Sequence, residues 1–321
     1  MILPWLDRIR TDLAARLDEG RLGHAPLISG PAGLGKLELA RGLAARMLCQ
    51  QPEGARACGR CRSCELLDSG AHPDYFEIDV AEDKQVIPVD DIRGLIENMQ
   101  LTPALGSRRV GLIVDADAMN ANAANALLKT LEEPAANAWL ILRSHHPSRL
   151  PATIRSRCQV VALRPPPTDE AEAWLAEACP DHAPEKRRMA LSLTGNAPLA
   201  ARTMLVDDDL EHGLEILGLM LDNGGRAGWS AVLESWQKDA AGTWQWLARW
   251  IAMFMESSQG AESISPPEGY ELPRNLDPQE LAGLWQKAIE GRRLAAATAI
   301  RQDLLLGKWL LEWERVNAAG K

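Results

Sequence analysis

The sequence predicts an α/β fold over residues 1–164, a doubly wound parallel sheet, followed by a remainder built of helices alone. Three observations predict it. Short apolar runs alternate with helix-length segments across the first 164 residues. The first of these runs ends in a glycine-rich turn that opens a helix. Beyond Pro165-Pro166-Pro167, a stiff boundary, no strand pattern remains.

Taken in order, Met1 to Gly20 carries Trp5, Ile9, Leu13 and Leu17 at helical spacing. His24-Ala25-Pro26 leads into a strand over Leu27–Ser29. The turn Gly30-Pro31-Ala32-Gly33-Leu34-Gly35-Lys36 follows, and Gly30, Gly35 and Lys36 stand where a phosphate-binding loop, G-x-x-x-x-G-K-[ST], requires them. Backbone N–H groups freed by glycine can cradle phosphate oxygens, and the helix N-terminus adds partial positive charge. Position 37 should supply a hydroxyl to Mg²⁺ and is Leu37. The loop therefore reads as a degenerate nucleotide site of Gly30, Gly33, Gly35 and Lys36, in which Lys36 either reaches a phosphate or is simply solvated. ATP binding is doubtful and Mg²⁺ is not expected. The helix after the loop runs from about Leu34 to Leu48, with Leu39, Leu43 and Met47 on one face.

Cys49 ends that helix, and Cys58, Cys61 and Cys64 follow at two-residue gaps. Four thiolates so spaced can converge on a tetrahedral Zn²⁺, and four protein ligands leave no position open for chemistry, so the expected role is structural. Free thiols or a redox pair is the plainer alternative. Arg56, Arg60 and Arg62 raise the weaker option of a zinc module that binds nucleic acid.

Further strands are expected over Tyr75–Val80, Val110–Val114, Trp139–Leu142 and Gln159–Leu163, with helices over Val89–Met99 and Asn122–Leu131 between them. Asp115 and Asp117 fall at the C-terminal end of the third strand, where open parallel sheets place ligands and acids. His145-His146-Pro147 reads as a solvated turn, since adjacent histidines point in different directions. Past the prolines, Thr168–Glu177, Ala183–Leu193 and Pro198–Leu205 read as three short helices of a small domain, 165–207. A larger helical domain, 208–321, comprises Leu210–Leu221, Trp229–Lys238, Trp244–Glu256, Pro278–Ile289 and Leu294–Val316, interrupted by a Ser/Pro/Gly loop over Ser257–Asn275. Asp277, Pro278 and Glu280 form an N-cap, a first-turn proline and a capping-box acid. Eight tryptophans (229, 236, 244, 246, 250, 285, 309 and 313) fill this region, as core or in part as partner contacts.

The net charge of −9 argues against an autonomous nucleic-acid binder. No apolar run is long enough to span a bilayer. The N-terminus lacks a basic region followed by an apolar core, so secretion is not expected and the cysteines are not expected to form disulfides.

Asn125-Ala-Leu-Leu-Lys-Thr-Leu-Glu-Glu-Pro134 and Ser156-Arg157-Cys158 carry a family resemblance. With the cysteines inserted after the phosphate-loop helix, the chain resembles the clamp-loader ATPases of bacterial replication, a branch of the AAA+ proteins. The resemblance implies an AAA+ domain with a zinc insertion, a helical lid and an α-helical collar that oligomerises. It also locates what is missing. The Asp-Glu pair of active members falls on Val114 and Asp115, and the second-domain arginine that senses nucleotide in cis falls near Pro198. Arg157 is retained, and in the family this arginine reaches ATP bound by the adjacent subunit; Ser156 and Cys158 support its turn.

The implied partners are gamma/tau-like ATPase subunits and a delta-like subunit in a hetero-pentamer, with the sliding clamp and primed DNA reached through the assembly. The implied location is the cytoplasm, at a nucleoid-associated replisome, with no polymerase active site in this chain. An active gamma/tau-like ATPase, with another residue replacing the lost metal ligand, is the alternative.

Overall fold

The computed structural model describes residues 2–81, 86–221, 232–233, 236–237, 239–258, 270, 272–273, 275–295 and 302–319. The chain divides into two compact units, Met1–Glu170 and Ala171–Lys321.

The first unit holds five parallel strands, β1 (Pro26–Ser29), β2 (Tyr75–Ile78), β3 (Arg109–Ile113), β4 (Ala138–Ser144) and β5 (Gln159–Ala162), in the order β2-β3-β4-β1-β5. Its helices are α1 (Asp7–Asp18), α2 (Lys36–Leu48), α3 (Arg62–Asp68), α4 (Val89–Gln100), α5 (Ala121–Glu132) and the single turn α6 (Ala152–Arg155). Strand side chains alternate between faces. Leu27, Ile113, Leu140 and Leu142 join Ile92, Leu95 and Met99 of α4 and Leu127 and Leu131 of α5 in one core. Their neighbours Ile28, Leu112 and Ile141 are equally buried, as the central strands of a sheet covered on both faces must be. Parallel pairing brings the C-terminal ends of β1, β3 and β4 to one rim, where the candidate site lies.

Helix α5 opens on Asn120, whose side chain accepts the Ala123 N–H at 2.9 Å. The predicted strands and long helices of this unit recur within one to three residues at most ends. Helix α3 is an addition that the sequence reading did not place: Cys61 stands at the N-cap position of a seven-residue helix that carries Cys64 in its first turn.

The second unit contains α7 (Thr168–Ala178), which starts at the boundary, α8 (Pro184–Leu193), α9 (Pro198–Val206), α10 (Asp209–Leu221), α11 (Ala240–Ser258), α12 (Pro278–Ala295) and α13 (Gln302–Ala319). The predicted helix Trp229–Lys238 and loop Ser257–Asn275 lie mostly outside the described residues, as do 296–301 within the expected Leu294–Val316 helix. Trp244, Trp246, Trp250, Trp309 and Trp313 are buried, whereas Trp285 is 40% exposed. A buried indole N–H is stabilised by an acceptor, and four of these five have one while Trp244 has none among the described residues. Trp246 donates to Asp209 at 2.7 Å, and Trp250, Trp309 and Trp313 donate to the Gly213, Leu284 and Met220 carbonyls at 2.8, 2.9 and 3.0 Å. These bonds tie α11 and α13 to α10 and α12.

Gly213 is required by this packing, because a Cβ there would sit 2.5 Å from the Trp246 ring. Gly213→Ala should therefore destabilise the second unit by about 1–3 kcal/mol. Tryptophan fluorescence melts report that unit, since every tryptophan but Trp5 and Trp139 lies in it. An unchanged midpoint would contradict the packing.

Candidate functional site

The glycine-rich loop leaves β1 and enters α2 with Gly30, Gly33 and Gly35 all at positive φ. At Gly30 (φ 143°) a Cβ would meet the Leu163 carbonyl oxygen at 2.5 Å; at Gly35 (φ 81°) it would meet Leu3 at 2.6 Å. Only glycine fits both the backbone and the space. The N-terminal segment buttresses the loop from behind, and Trp5 Nε1 donates to the Leu34 carbonyl at 3.0 Å.

Lys36, the first residue of α2, is only 3% exposed, so it is not the solvated lysine the sequence also allowed. Its ammonium donates to the Pro31 carbonyl of its own loop. Burial, and next the charge of Arg143, lower its pKa from 10.5 to about 8. Leu37, half-buried, offers no oxygen where the metal-ligating hydroxyl would stand.

Across the rim, Val114 is buried and follows β3, and Asp115 comes next. Arg143, the penultimate residue of β4 and 12% exposed, reaches over to this strand end. Its guanidinium donates to the Val114 carbonyl and to the Asp115 carboxylate, and its Nη1 lies 2.9 Å from His145 Nε2. Burial pushes the Asp115 carboxyl above its usual range against the opposing pull of Arg143. His145 is brought down to about 4 by burial and by the charges of Lys36 and Arg143. Neutral at pH 7, its Nε2 accepts from the guanidinium. The solvated-turn reading holds for His146, which is exposed, and fails for His145, which the network draws in. Asp117 accepts the backbone N–H groups of His145 and His146, each at 3.2 Å. Burial alone would raise its pKa; Ser144 and these N–H groups hold it below the usual range.

The rim thus brings together two cations, Lys36 and Arg143, two carboxylates, Asp115 and Asp117, and the neutral imidazole of His145. Arg143 is the member that sequence reading missed. Its signal was faint: a charged residue ending an otherwise apolar strand.

The four cysteines converge. Sγ–Sγ separations are 3.6 Å for Cys49–Cys58, 3.9 Å for Cys49–Cys61, 3.7 Å for Cys49–Cys64, 4.0 Å for Cys58–Cys64 and 3.5 Å for Cys61–Cys64. A tetrahedron with Zn–S bonds of about 2.3 Å has S···S edges of about 3.8 Å. Disulfides, at about 2.05 Å, are excluded. The donor set and its spacing fit a metal ion. Behind it, Ser63 donates to the Leu48 carbonyl at 2.7 Å and pairs with buried His72 at 2.8 Å, anchoring the insertion to α2 and to the approach to β2.

Arg157 lies apart from the rim, between α6 and β5. Its Nε donates to Glu132 at 2.9 Å, its Nη2 lies 2.5 Å from the same carboxylate, and its Nη1 donates to the Thr153 carbonyl at 2.9 Å and to Ser156 Oγ at 3.3 Å. Ser156 itself donates to Thr153. Cys158 packs against the sheet core, and burial raises its thiol to about 11. Pro198, at the expected place of the cis-sensing arginine, is buried and opens α9.

Residues 6–167 match the family model described as DNA polymerase III, delta subunit. The Escherichia coli K12 protein named DNA polymerase III subunit delta' is 32% identical over 323 residues, covering 99% of this chain and 96% of that one. The chain belongs to the DNA polymerase III delta-prime family. Another member, from Pseudomonas aeruginosa, is 45% identical over 203 residues, a match covering 63% of this chain and 61% of the relative. A solved gamma subunit-related protein from Thermotoga maritima shares the fold at a TM-score of 0.53 and 20% identity, with 96% of this chain and 99% of that one aligned.

A buried ammonium with a depressed pKa costs stability. The difference between 10.5 unfolded and about 8 folded penalises the protonated native state below pH 8, and the penalty is relieved as pH climbs from 8 towards 10.5. Lys36→Met should therefore stabilise the protein by about 1–3 kcal/mol at pH 7. Urea melts at pH 7 and pH 10 should show that gain shrinking at the higher pH. A gain equal at both values would contradict it.

Proposed function

We propose that this chain is a delta-prime-type subunit of a clamp loader that hydrolyses no ATP itself and supplies Arg157 in trans to an ATPase subunit beside it. The observation that carries the reading is the contrast between the two arginine sites. Asp115, at the catalytic acid's position, is engaged by Arg143 within the chain, and Leu37 removes the hydroxyl that would hold Mg²⁺. The acid at that position is thereby engaged, whether or not Gly30, Gly33, Gly35 and Lys36 hold nucleotide. Arg157 stands partly exposed at the edge of the first unit, within reach of a phosphate brought by a neighbouring subunit. A guanidinium delivered this way neutralises charge on the transferred phosphoryl group and contributes about 10³–10⁵ in rate at the site it enters.

In this reading residues 1–164 are an AAA+ domain, 165–207 a helical lid and 208–321 a collar. Cys49, Cys58, Cys61 and Cys64 hold a structural zinc. The partners are gamma/tau-like and delta-like subunits in a hetero-pentamer that places a sliding clamp on primed DNA, in the cytoplasm at the replisome. No described helix is long and apolar enough to cross a membrane.

Two experiments test this. Reconstituted with candidate ATPase and delta-like subunits, Arg157→Ala should assemble normally and lower DNA-stimulated ATP hydrolysis by the complex; an unchanged rate would sink the trans role. Metal analysis should find one zinc per chain, and chelation should lower the thermal midpoint, because structural zinc contributes folding energy. A metal-free chain melting at the same temperature would remove the zinc from the account.

A further inference from the structure

Helix α5 ends on Glu132, with Glu133 as its C-cap. An acid there opposes the partial negative charge of the helix C-terminus, where a cation is favoured. A residue that violates its local electrostatic preference needs a compensating partner, and Arg157 is that partner. The ion pair is exposed, with Glu132 50% and Arg157 34% accessible, so it contributes little to stability. Its geometric effect is larger. Glu132 takes the Nε–Nη2 edge of the guanidinium while Thr153 and Ser156 take Nη1, so three acceptors favour one orientation of a side chain that otherwise samples many.

We propose that Glu132 is a positioning residue for Arg157, presenting the guanidinium already oriented to the nucleotide of the adjoining subunit. This rests on the trans role of Arg157 set out above. Glu132 touches no substrate; it acts by lowering the entropy lost when the guanidinium engages the transferring phosphoryl group.

The test compares four forms of the chain, each reconstituted with the ATPase and delta-like subunits: wild type, Arg157→Ala, Glu132→Ala and the double variant, with Glu132→Gln as a fifth. Glu132→Ala should lower the Arg157-dependent part of kcat about 2- to 5-fold, the orientational preference that one exposed ion pair can impose, with the KM for ATP, assembly and melting temperature unchanged. Glu132→Gln, which keeps an acceptor, should recover part of the rate. In the Arg157→Ala background Glu132→Ala should cost nothing further. If Arg157→Ala slows the complex while Glu132→Ala matches or exceeds wild type, Glu132 is inert or competes for the guanidinium, and the positioning role is overturned while the trans role stands. A further loss in the double variant, a raised KM or failed assembly would also overturn it, marking a structural effect. If Arg157→Ala has no effect, the trans role and this proposal fail together.

Discussion

The guanidinium of Arg143 held across the ends of β3 and β4 is the interaction on which the rim of the sheet depends. Charges drawn out of water must be paired or neutralised. An active phosphate-loop site meets that requirement with Mg²⁺ and a triphosphate. Here the chain meets it internally: Lys36 turns to the Pro31 carbonyl, Asp115 to Arg143, Asp117 to two backbone N–H groups, and His145 stays neutral. At the strand ends these charged groups are paired with one another and with backbone groups.

The same residue type performs a different task where the solvent is different. Arg143 is nearly buried, so parting it from Asp115 leaves a partly desolvated carboxylate unpaired, which is costly. Arg157 and Glu132 meet in water, where separation costs little. Burial thus sorts the two arginines into one that holds the strand ends and one that solvent can reach. The four-cysteine cluster belongs with the first kind: it secures the insertion behind α2 and stays away from the rim.

Much of this was legible in the sequence because it is local in the sequence. Five apolar runs with helices between them specify a parallel sheet. The loop glycines and Lys36 form one short motif, and Cys58, Cys61 and Cys64 announce convergence by their spacing. What escaped notice depends on contacts between distant segments. Arg143 meets Asp115 across 28 positions and Arg157 meets Glu132 across 25. Neither pairing leaves a periodic trace, since each depends on which strand lies beside which. His145 misled for the same reason: a turn beside a proline looks solvated until a neighbouring strand covers it. Helix α3 was hidden by its cysteines, whose ligand spacing also suits a helix's first turn.

The central claim is that the phosphate loop is catalytically silent within its own chain. Purified full-length protein given Mg²⁺ and ATP in the absence of any partner tests it most directly, with phosphate release followed against a protein-free control. The account predicts release at the background rate. Saturable release that disappears in Lys36→Ala would contradict it.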